Sequence, residues 1–180
     1  MNKRKFEFAS ELIREMEEKP FSKISISDIC ENLKCSRQSF YYYFKTLDDC
    51  LAYYIKESFK SRIKEDYLIS DIFNYVEIND HIIKIYMSDA KSNELFWNGL
   101  YSYCKKLLDL LFSKNVVDYL TLYTEQKEAI TSFYIVGLLE LAKQFSIKNL
   151  NPSKDKCIAY CKAIMGSGDD IRDMMRRFNR

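Results

Sequence analysis

The chain has 180 residues, a mass of 21.5 kDa and a formal net charge of +2. Hydrophobic residues make up 47% of it, enough for a sizeable core, yet no stretch approaches about eighteen uncharged apolar residues, so we expect no membrane span. Glycine (4) and proline (2) are scarce, which predicts an all-α protein of about nine helices. The N-terminus lacks the pattern of a signal peptide, which predicts a cytoplasmic protein.

The first predicted element is a helix over about residues 3–18. Pro20 ends it, because the residue before a proline disfavours helical backbone. Its apolar stripe contains Phe6, Ala9, Ile13 and Met16, broadened by Phe8 and Leu12.

A second, short helix is predicted directly after this break. Ser25 is expected to cap it, with Asp28 three positions on, in a variant of the capping box. Ile26, Ile29 and Leu33 fall at i, i+3 and i+7 and give the helix one apolar stripe to bury.

A third helix follows a turn at Leu33-Lys34-Cys35, with Ser36 as its expected cap and Phe40 and Phe44 as its buried face. Lys34 stands at a turn position near positive φ, where glycine is favoured, so we expect backbone strain there. Two short helices joined in this way predict a helix-turn-helix motif, whose second helix lies in the DNA major groove.

With its flanks, the stretch PFSKISISDICENLKCSRQSFYYYFKTLDDCL resembles the DNA-binding signature of the tetracycline-repressor (TetR) family of bacterial transcription regulators. The matching positions are Phe21, Ser25, Asp28, Ile29, Ser36, Phe40, Tyr41, Tyr42 and Phe44. The departures are Cys30 for alanine, Lys34 for the turn glycine, Cys35 for valine, Tyr43 for histidine and Leu47 for a phosphate-contacting lysine.

The resemblance implies two domains. Residues 1–46 would be a three-helix DNA-binding domain, and residues 47–180 a helical bundle for ligand binding and dimerisation. Over about residues 70–165 the chain is more loosely similar to the regulatory domain of small TetR-type proteins from low-GC bacteria.

The rest of the chain has purely helical patterns. Thr46 is expected to cap a fourth helix, to about residue 64, with Asp48 and Asp49 in its first turn. Further helices are predicted over about 70–78, 80–88, 91–113, 124–147 and 152–165. The last is expected to begin with Asn151 as cap and Pro152 at its first position, and to end at Gly166-Ser167-Gly168 before a partly ordered tail. Residues 116–123 fit either a short helix or an extended connection.

The third helix has the side chains that a DNA reader needs. Arg37 can bond guanine or a phosphate, Gln38 can bond adenine, and Tyr41 and Tyr42 offer hydroxyls to phosphates. One of the three consecutive tyrosines could instead face inward. The predicted DNA contacts are Ser25, Ser36, Arg37, Gln38, Ser39, Tyr41, Tyr42 and Lys45.

Charge in this region is balanced, since residues 1–50 contain nine Lys and Arg against nine Asp and Glu. A phosphate-binding surface usually has a basic footprint, so the footprint here must be local, with the acids on other faces. Its expected members are Lys3, Arg4, Lys5, Lys23, Lys34, Arg37 and Lys45.

One such motif reads too few base pairs for a specific site, so we expect a homodimer on double-stranded, palindromic operator DNA. The last two long helices offer the pairing surface, in a four-helix bundle. The alternative is that the apolar stripes of these two helices pack in the core of a single chain. The candidate dimer residues are Phe133, Gly137, Leu141, Ile158 and Cys161.

Aromatic residues are frequent behind the motif and could line a pocket for an apolar or amphipathic small-molecule ligand. For any one of them, simple core packing is the alternative. The candidate ligand residues are His81, Tyr86, Trp97, Tyr101 and Tyr134. The expected function is a repressor that its ligand releases from DNA, although activation stays open.

The sequence disfavours an enzymatic function. The chain has no phosphate loop, HExxH or GxSxG and one histidine, so we expect no enzyme, no cofactor and no metal site. Its six cysteines are expected to be reduced. An alternative is a TetR-like regulator that responds to a protein partner or to cysteine oxidation or metal, with Cys157 and Cys161 as a sensor pair.

Overall fold

The computed structural model describes residues 2–64, 67–114, 124–148 and 152–165. Within these ranges the chain forms nine α-helices, one short 3-10 helix and no strand, which confirms the predicted all-α class. The helices are α1 Lys3–Glu18, α2 Ile26–Asn32, α3 Arg37–Tyr41, α4 Leu47–Lys60, α5 Leu68–Ile78, α6 Asp80–Met87, α7 Ala90–Lys114, α8 Thr124–Ser146 and α9 Lys154–Met165, with the 3-10 helix at Phe21–Lys23.

Three predictions fall outside the described residues, namely those for residues 116–123, for Asn151 as a cap, and for residues 166–180. None of the described helices combines the length and the hydrophobicity that crossing a membrane requires.

The described residues group into two compact units. Those between Met1 and Ser61 and those between His81 and Leu100 form unit 1, and those between Arg62 and Asp80 and from Tyr101 onwards form unit 2. Unit 1 therefore holds the predicted helix-turn-helix segment together with a stretch distant in sequence. The division of the chain after residue 46 stays a prediction.

Unit 1 has an aromatic core. In α1, Asn2 caps the helix by accepting a hydrogen bond from the Lys5 amide at 3.2 Å. The residues that α1 buries are Phe8, Ala9, Leu12, Ile13 and Met16, while Phe6 is half-buried. Phe8 meets Phe40 of α3 edge-on, with ring centroids 5.5 Å apart. The predicted stripe of α1 is thus confirmed, with Phe6 at its margin.

Two predicted helix limits are wrong. The fourth helix ends at Lys60, not near residue 64, because the Lys64 amide donates to the Asp71 carboxylate at 2.9 Å instead of continuing the helix. The last helix begins at Lys154, and Pro152 lies outside it. Its first turn is closed by the bond from the Cys157 amide to the Ser153 carbonyl, 3.0 Å.

Unit 2 is a bundle in which α5, α8 and α9 pack against one another. Phe73 of α5 meets Phe145 of α8 edge-on, with centroids 5.7 Å apart. Lys154 of α9 forms a salt bridge with Glu77 of α5. The C-terminal half of α7 joins them, since the Tyr101 hydroxyl donates to the Ser132 hydroxyl at 3.1 Å.

Candidate nucleic-acid interface

The helix that precedes the turn is fixed at its start by a capping box. The Ser25 hydroxyl accepts from the Asp28 amide at 3.3 Å, and the Asp28 carboxylate accepts from the Ser25 amide at 2.8 Å. Lys19 also donates to this carboxylate at 2.8 Å. Together, the Lys19 ammonium and the Ser25 amide hold the pKa of Asp28 below its ordinary value. The predicted capping box is confirmed.

The turn after α2 is a Schellman motif, in which two backbone bonds close the C-terminus of the helix. The Lys34 amide donates to the Glu31 carbonyl at 3.1 Å, and the Cys35 amide donates to the Cys30 carbonyl at 2.9 Å. Lys34 occupies the left-handed position of this motif with φ 49°. The expected strain at Lys34 is therefore present, because a Cβ disfavours this conformation.

The next helix, α3, is short and held at both ends. The Ser36 hydroxyl caps it by accepting from the Ser39 amide at 3.2 Å. Phe40 and Phe44 are 0% and 5% exposed, as their spacing predicted. Because the apolar side of α3 is buried, its other side must face outward.

The outward side of α3 carries the predicted base-reading residues. Arg37 and Gln38 are exposed, and Tyr41 and Tyr42 are 55% and 81% exposed. Tyr43 is the tyrosine that faces inward, since it is half-buried and its ring lies 6.0 Å from that of Phe8. A shallow groove of about 340 Å³ runs along this side, lined by Arg4, Ser36, Gln38, Ser39, Tyr42 and Tyr43.

The charges near this surface are only partly paired. Within the described chain, Lys23, Lys34, Arg37 and Lys45 are exposed and form no salt bridge. Several of the acids have local roles. Asp28 and Asp49 cap helices, Glu7 pairs with Arg4, and Asp48 pairs with Lys91 at 2.8 Å. Residues 1–50 are neutral overall, and their charges outside salt bridges include these four cations as well as the exposed Glu18 and Glu31.

The remaining predicted DNA contacts differ in exposure and in hydrogen-bond partners. Ser25 is exposed and Lys45 is exposed just before Thr46, which caps α4 by accepting from the Asp49 amide at 3.1 Å. Ser39 is half-buried, with its hydroxyl 3.1 Å from that of Ser36. Leu47, where the resembled family often has a lysine, is the first residue of α4.

The candidate dimer residues range from exposed to buried. Phe133 is 74% exposed, and a Cβ added to Gly137 would meet nothing within 4 Å. Leu141 and Ile158 are half-buried, and Cys161 is buried within the chain. The same outward faces of α8 and α9 also carry Val136 and Tyr160, 56% and 54% exposed. Sequence reasoning missed these two, although Val136 lies three positions from Phe133 and Tyr160 two positions from Ile158.

The candidate ligand residues lie in both units. In unit 1, Tyr86 and Trp97 both contact Phe96, with ring centroids 5.0 and 4.9 Å apart. His81 does not join them, because its side chain is 82% exposed and lies beside Glu17. In unit 2, Tyr101 bonds Ser132, and the ring of Tyr134 meets Phe133.

One further polar residue belongs with Trp97. The side-chain oxygen of Asn93 and the indole nitrogen of Trp97 are buried, and neither has a hydrogen-bond partner within the described chain. The two residues are four apart on α7, so they lie on one face of the helix. Spacing from Trp97 could have identified Asn93, but a single asparagine in a helix gives no signal by itself.

Unit 2 has a cavity of about 290 Å³ at the C-terminal ends of α5 and α8. It is lined by Val76, Glu77, Asp80, Phe145, Ser146 and Lys148. None of the five predicted ligand residues lines it, and the sequence patterns did not indicate it.

Comparison with known proteins adds no relative to these observations. No model of a protein family matches the chain. No curated protein matches it either.

Proposed function

We propose that this chain is a TetR-like transcription regulator that binds palindromic operator DNA as a homodimer. The supporting observation is the outward side of α3, where Arg37, Gln38 and Tyr42 stand exposed on a helix anchored by the buried Phe40. An exposed aromatic ring lacks the stabilisation that burial of its apolar surface would give. Exposed rings beside unpaired cations therefore favour a surface that a binding partner covers. Double-stranded DNA fits that chemistry.

Each side chain has a distinct role in this proposal. Arg37 and Gln38 reach base edges in the major groove, where they bond guanine and adenine respectively. Tyr42 and Lys45 bond phosphates and set the register without reading sequence. Ser36 holds the start of α3 and adds a hydroxyl near the backbone.

The proposed second copy binds through the outward faces of α8 and α9. Phe133 and Val136 have no polar atoms in their side chains, and Gly137 leaves room for close approach of a neighbouring helix. A twofold interface places the same patch against itself, so an apolar stripe is matched by its own copy. Two copies then present two α3 helices to successive major grooves.

The proposed trigger is a small molecule that binds near Trp97 and favours a dimer that no longer fits the operator. The buried, unpaired Asn93 oxygen and Trp97 indole support this, because such groups usually have partners in folded proteins. A ligand with both a donor and an acceptor on an aromatic or apolar body would satisfy them. Repression with release by this ligand is the proposed mode.

Selection of bound sequences from a random DNA pool tests DNA recognition. We expect a palindrome, and Gln38→Ala should change the preferred base at one position per half-site, a loss of about 1–3 kcal/mol of discrimination. Lys45→Ala is the matched control. It should weaken binding to all sequences alike and lower the salt dependence by about one phosphate contact. Recovery of no enriched sequence by the wild-type chain would refute the proposal.

The effector proposal has a direct optical test, because Trp97 is the only tryptophan in the chain. Compounds that raise the melting temperature in a metabolite screen should also change the Trp97 fluorescence and lower operator affinity. Asn93→Leu should weaken that response while leaving DNA binding without ligand intact. Compounds that stabilise the protein with no change in tryptophan fluorescence would place the site elsewhere.

A further inference from the structure

Two cysteines flank the turn of the helix-turn-helix motif, and the proposed DNA recognition uses neither. The bond from the Cys35 amide to the Cys30 carbonyl places these residues at the two positions whose side chains touch in a Schellman motif. Here both of these positions carry thiols, so the motif brings the two cysteines side by side. Both cysteines are free.

The two thiols have different surroundings. Cys30 is 3% exposed, and its thiol donates to the Ser36 carbonyl at 3.7 Å. Burial, and then the neighbouring Cys35, raise the pKa of Cys30 to about 11. Cys35 is only half-buried, and the Arg4 guanidinium lies near enough to interact electrostatically with its thiol. Partial exposure beside a cation is the setting in which cysteines react with oxidants, so Cys35 is the thiol to react first.

We propose that Cys30 and Cys35 form a peroxide-responsive dithiol, which closes to a disulfide and weakens DNA binding by the helix-turn-helix. The Cys35 sulfur attacks the O–O bond of a hydroperoxide and becomes a sulfenic acid, and water or an alcohol leaves. The Cys30 sulfur then displaces the sulfenic hydroxyl, which takes the Cys30 proton and leaves as water. The two sulfurs lose two electrons in total, and the peroxide gains them.

The disulfide acts on DNA binding through α3. Its formation removes the S–H donor that Cys30 gives to Ser36, the capping residue of α3. It also constrains a turn that already holds Lys34 at positive φ. A small rotation of α3 moves Arg37 and Gln38 away from base edges. The expected loss of affinity is roughly tenfold, within the usual range of coupling between two sites.

Trypsin gives a direct readout of the disulfide, because Lys34 lies between the two cysteines. The full chain is treated with hydrogen peroxide, free thiols are blocked with N-ethylmaleimide, and the protein is digested without reductant. The expected product is peptide 24–34 joined to peptide 35–37, which dithiothreitol separates. Recovery of these two peptides unlinked, each alkylated or oxidised further, would overturn the proposal.

The effect on DNA rests on the proposed function, so it is measured separately on the same samples. Operator affinity should fall roughly tenfold after peroxide, recover with dithiothreitol, and not respond in Cys35→Ser. Cys104→Ala is the control, because Cys104 is fully buried in α7 and has no part in the proposed binding surfaces, and it should keep the response. A linked peptide pair with unchanged affinity would overturn the regulatory step. Failure of the reduced protein to bind DNA would refute the proposed function instead. The peptide result alone would then show whether Cys30 and Cys35 form a disulfide.

Discussion

Two exposed aromatic surfaces of this molecule differ in chemistry. The side of α3 exposes Tyr41 and Tyr42, whose rings end in hydroxyls, with Lys34, Arg37 and Lys45 nearby in the chain and unpaired. The side of α8 exposes Phe133 and Val136, which carry no polar side-chain atom. The first combination suits a polyanion that also offers apolar base edges, whereas the second suits another protein surface. Exposure alone would not have separated the two.

The largest expected effect comes from the residue that supports the first surface. Phe40→Ala should lower the free energy of unfolding by about 3–5 kcal/mol, because Phe40 is fully buried against Phe8 and Phe44. Urea unfolding followed by circular dichroism measures it. Tyr42→Ala is the matched control, and it should change stability by less than about 0.5 kcal/mol because Tyr42 is 81% exposed. Equal losses in both variants would contradict the assignment of the two faces.

The second surface is tested by Phe133→Glu. It should weaken self-association by about 2 kcal/mol or more, as expected for a central aromatic in an interface. Sedimentation equilibrium over a range of protein concentrations measures the dissociation constant. Ile78→Glu is the control, because Ile78 is 66% exposed on α5, a helix that contributes no residue to the proposed interface. Were the wild-type chain a monomer throughout, the surface on α8 would need another partner.

A smaller effect is expected at the junction that follows α3. Thr46→Ala should destabilise unit 1 by about 1 kcal/mol, because the capping hydrogen bond to the Asp49 amide is lost. Thr46→Ser keeps the hydroxyl and should lose little. Thermal unfolding of the two variants side by side makes the measurement. An alanine variant as stable as the serine variant would mean that the cap contributes nothing.

The smallest effect concerns two lysines in the same unusual backbone state, one in each unit. Lys34 has φ 49° and Lys148, after α8, has φ 58°. Lys34→Gly and Lys148→Gly should each stabilise the protein by about 0.5–1 kcal/mol, since the strain relieved exceeds the added entropy of the unfolded chain. Lys34→Ala is the control, because its Cβ keeps the strain. A destabilised glycine variant would show that the lysine side chain itself contributes there.

Local chemistry explains which predictions were confirmed. The caps at Ser25, Ser36 and Thr46, and the positive φ at Lys34, depend on residues within a few positions, and all four were predictable. The end of α4 was not predictable, because the Lys64 amide donates to the Asp71 carboxylate of α5 and not to a carbonyl of α4. A contact between two separate helices leaves no periodic trace in the sequence of either one.

In the candidate site, too, the features set by nearby residues were predictable and those set by the three-dimensional fold were not. Exposure of Arg37, Gln38 and Tyr42 could be read from the spacing of Phe40 and Phe44, which fixes the buried side of α3. The proximity of Cys30 and Cys35 across the turn and the unpaired Asn93 oxygen could not, since both depend on three-dimensional surroundings. The role of these residues in binding stays a prediction.

Unit 1 combines two segments that are separated in sequence, and this affects how the protein folds during synthesis. Its first 61 residues leave the ribosome before residues 81–100, which belong to the same unit. Phe59 of α4 packs on Phe96 of α7, with ring centroids 5.8 Å apart, so the core of unit 1 cannot close until that later segment has been synthesised. During this interval the nascent chain has exposed apolar surface, and a stalled or truncated product of about sixty residues would be a substrate for chaperones and proteases.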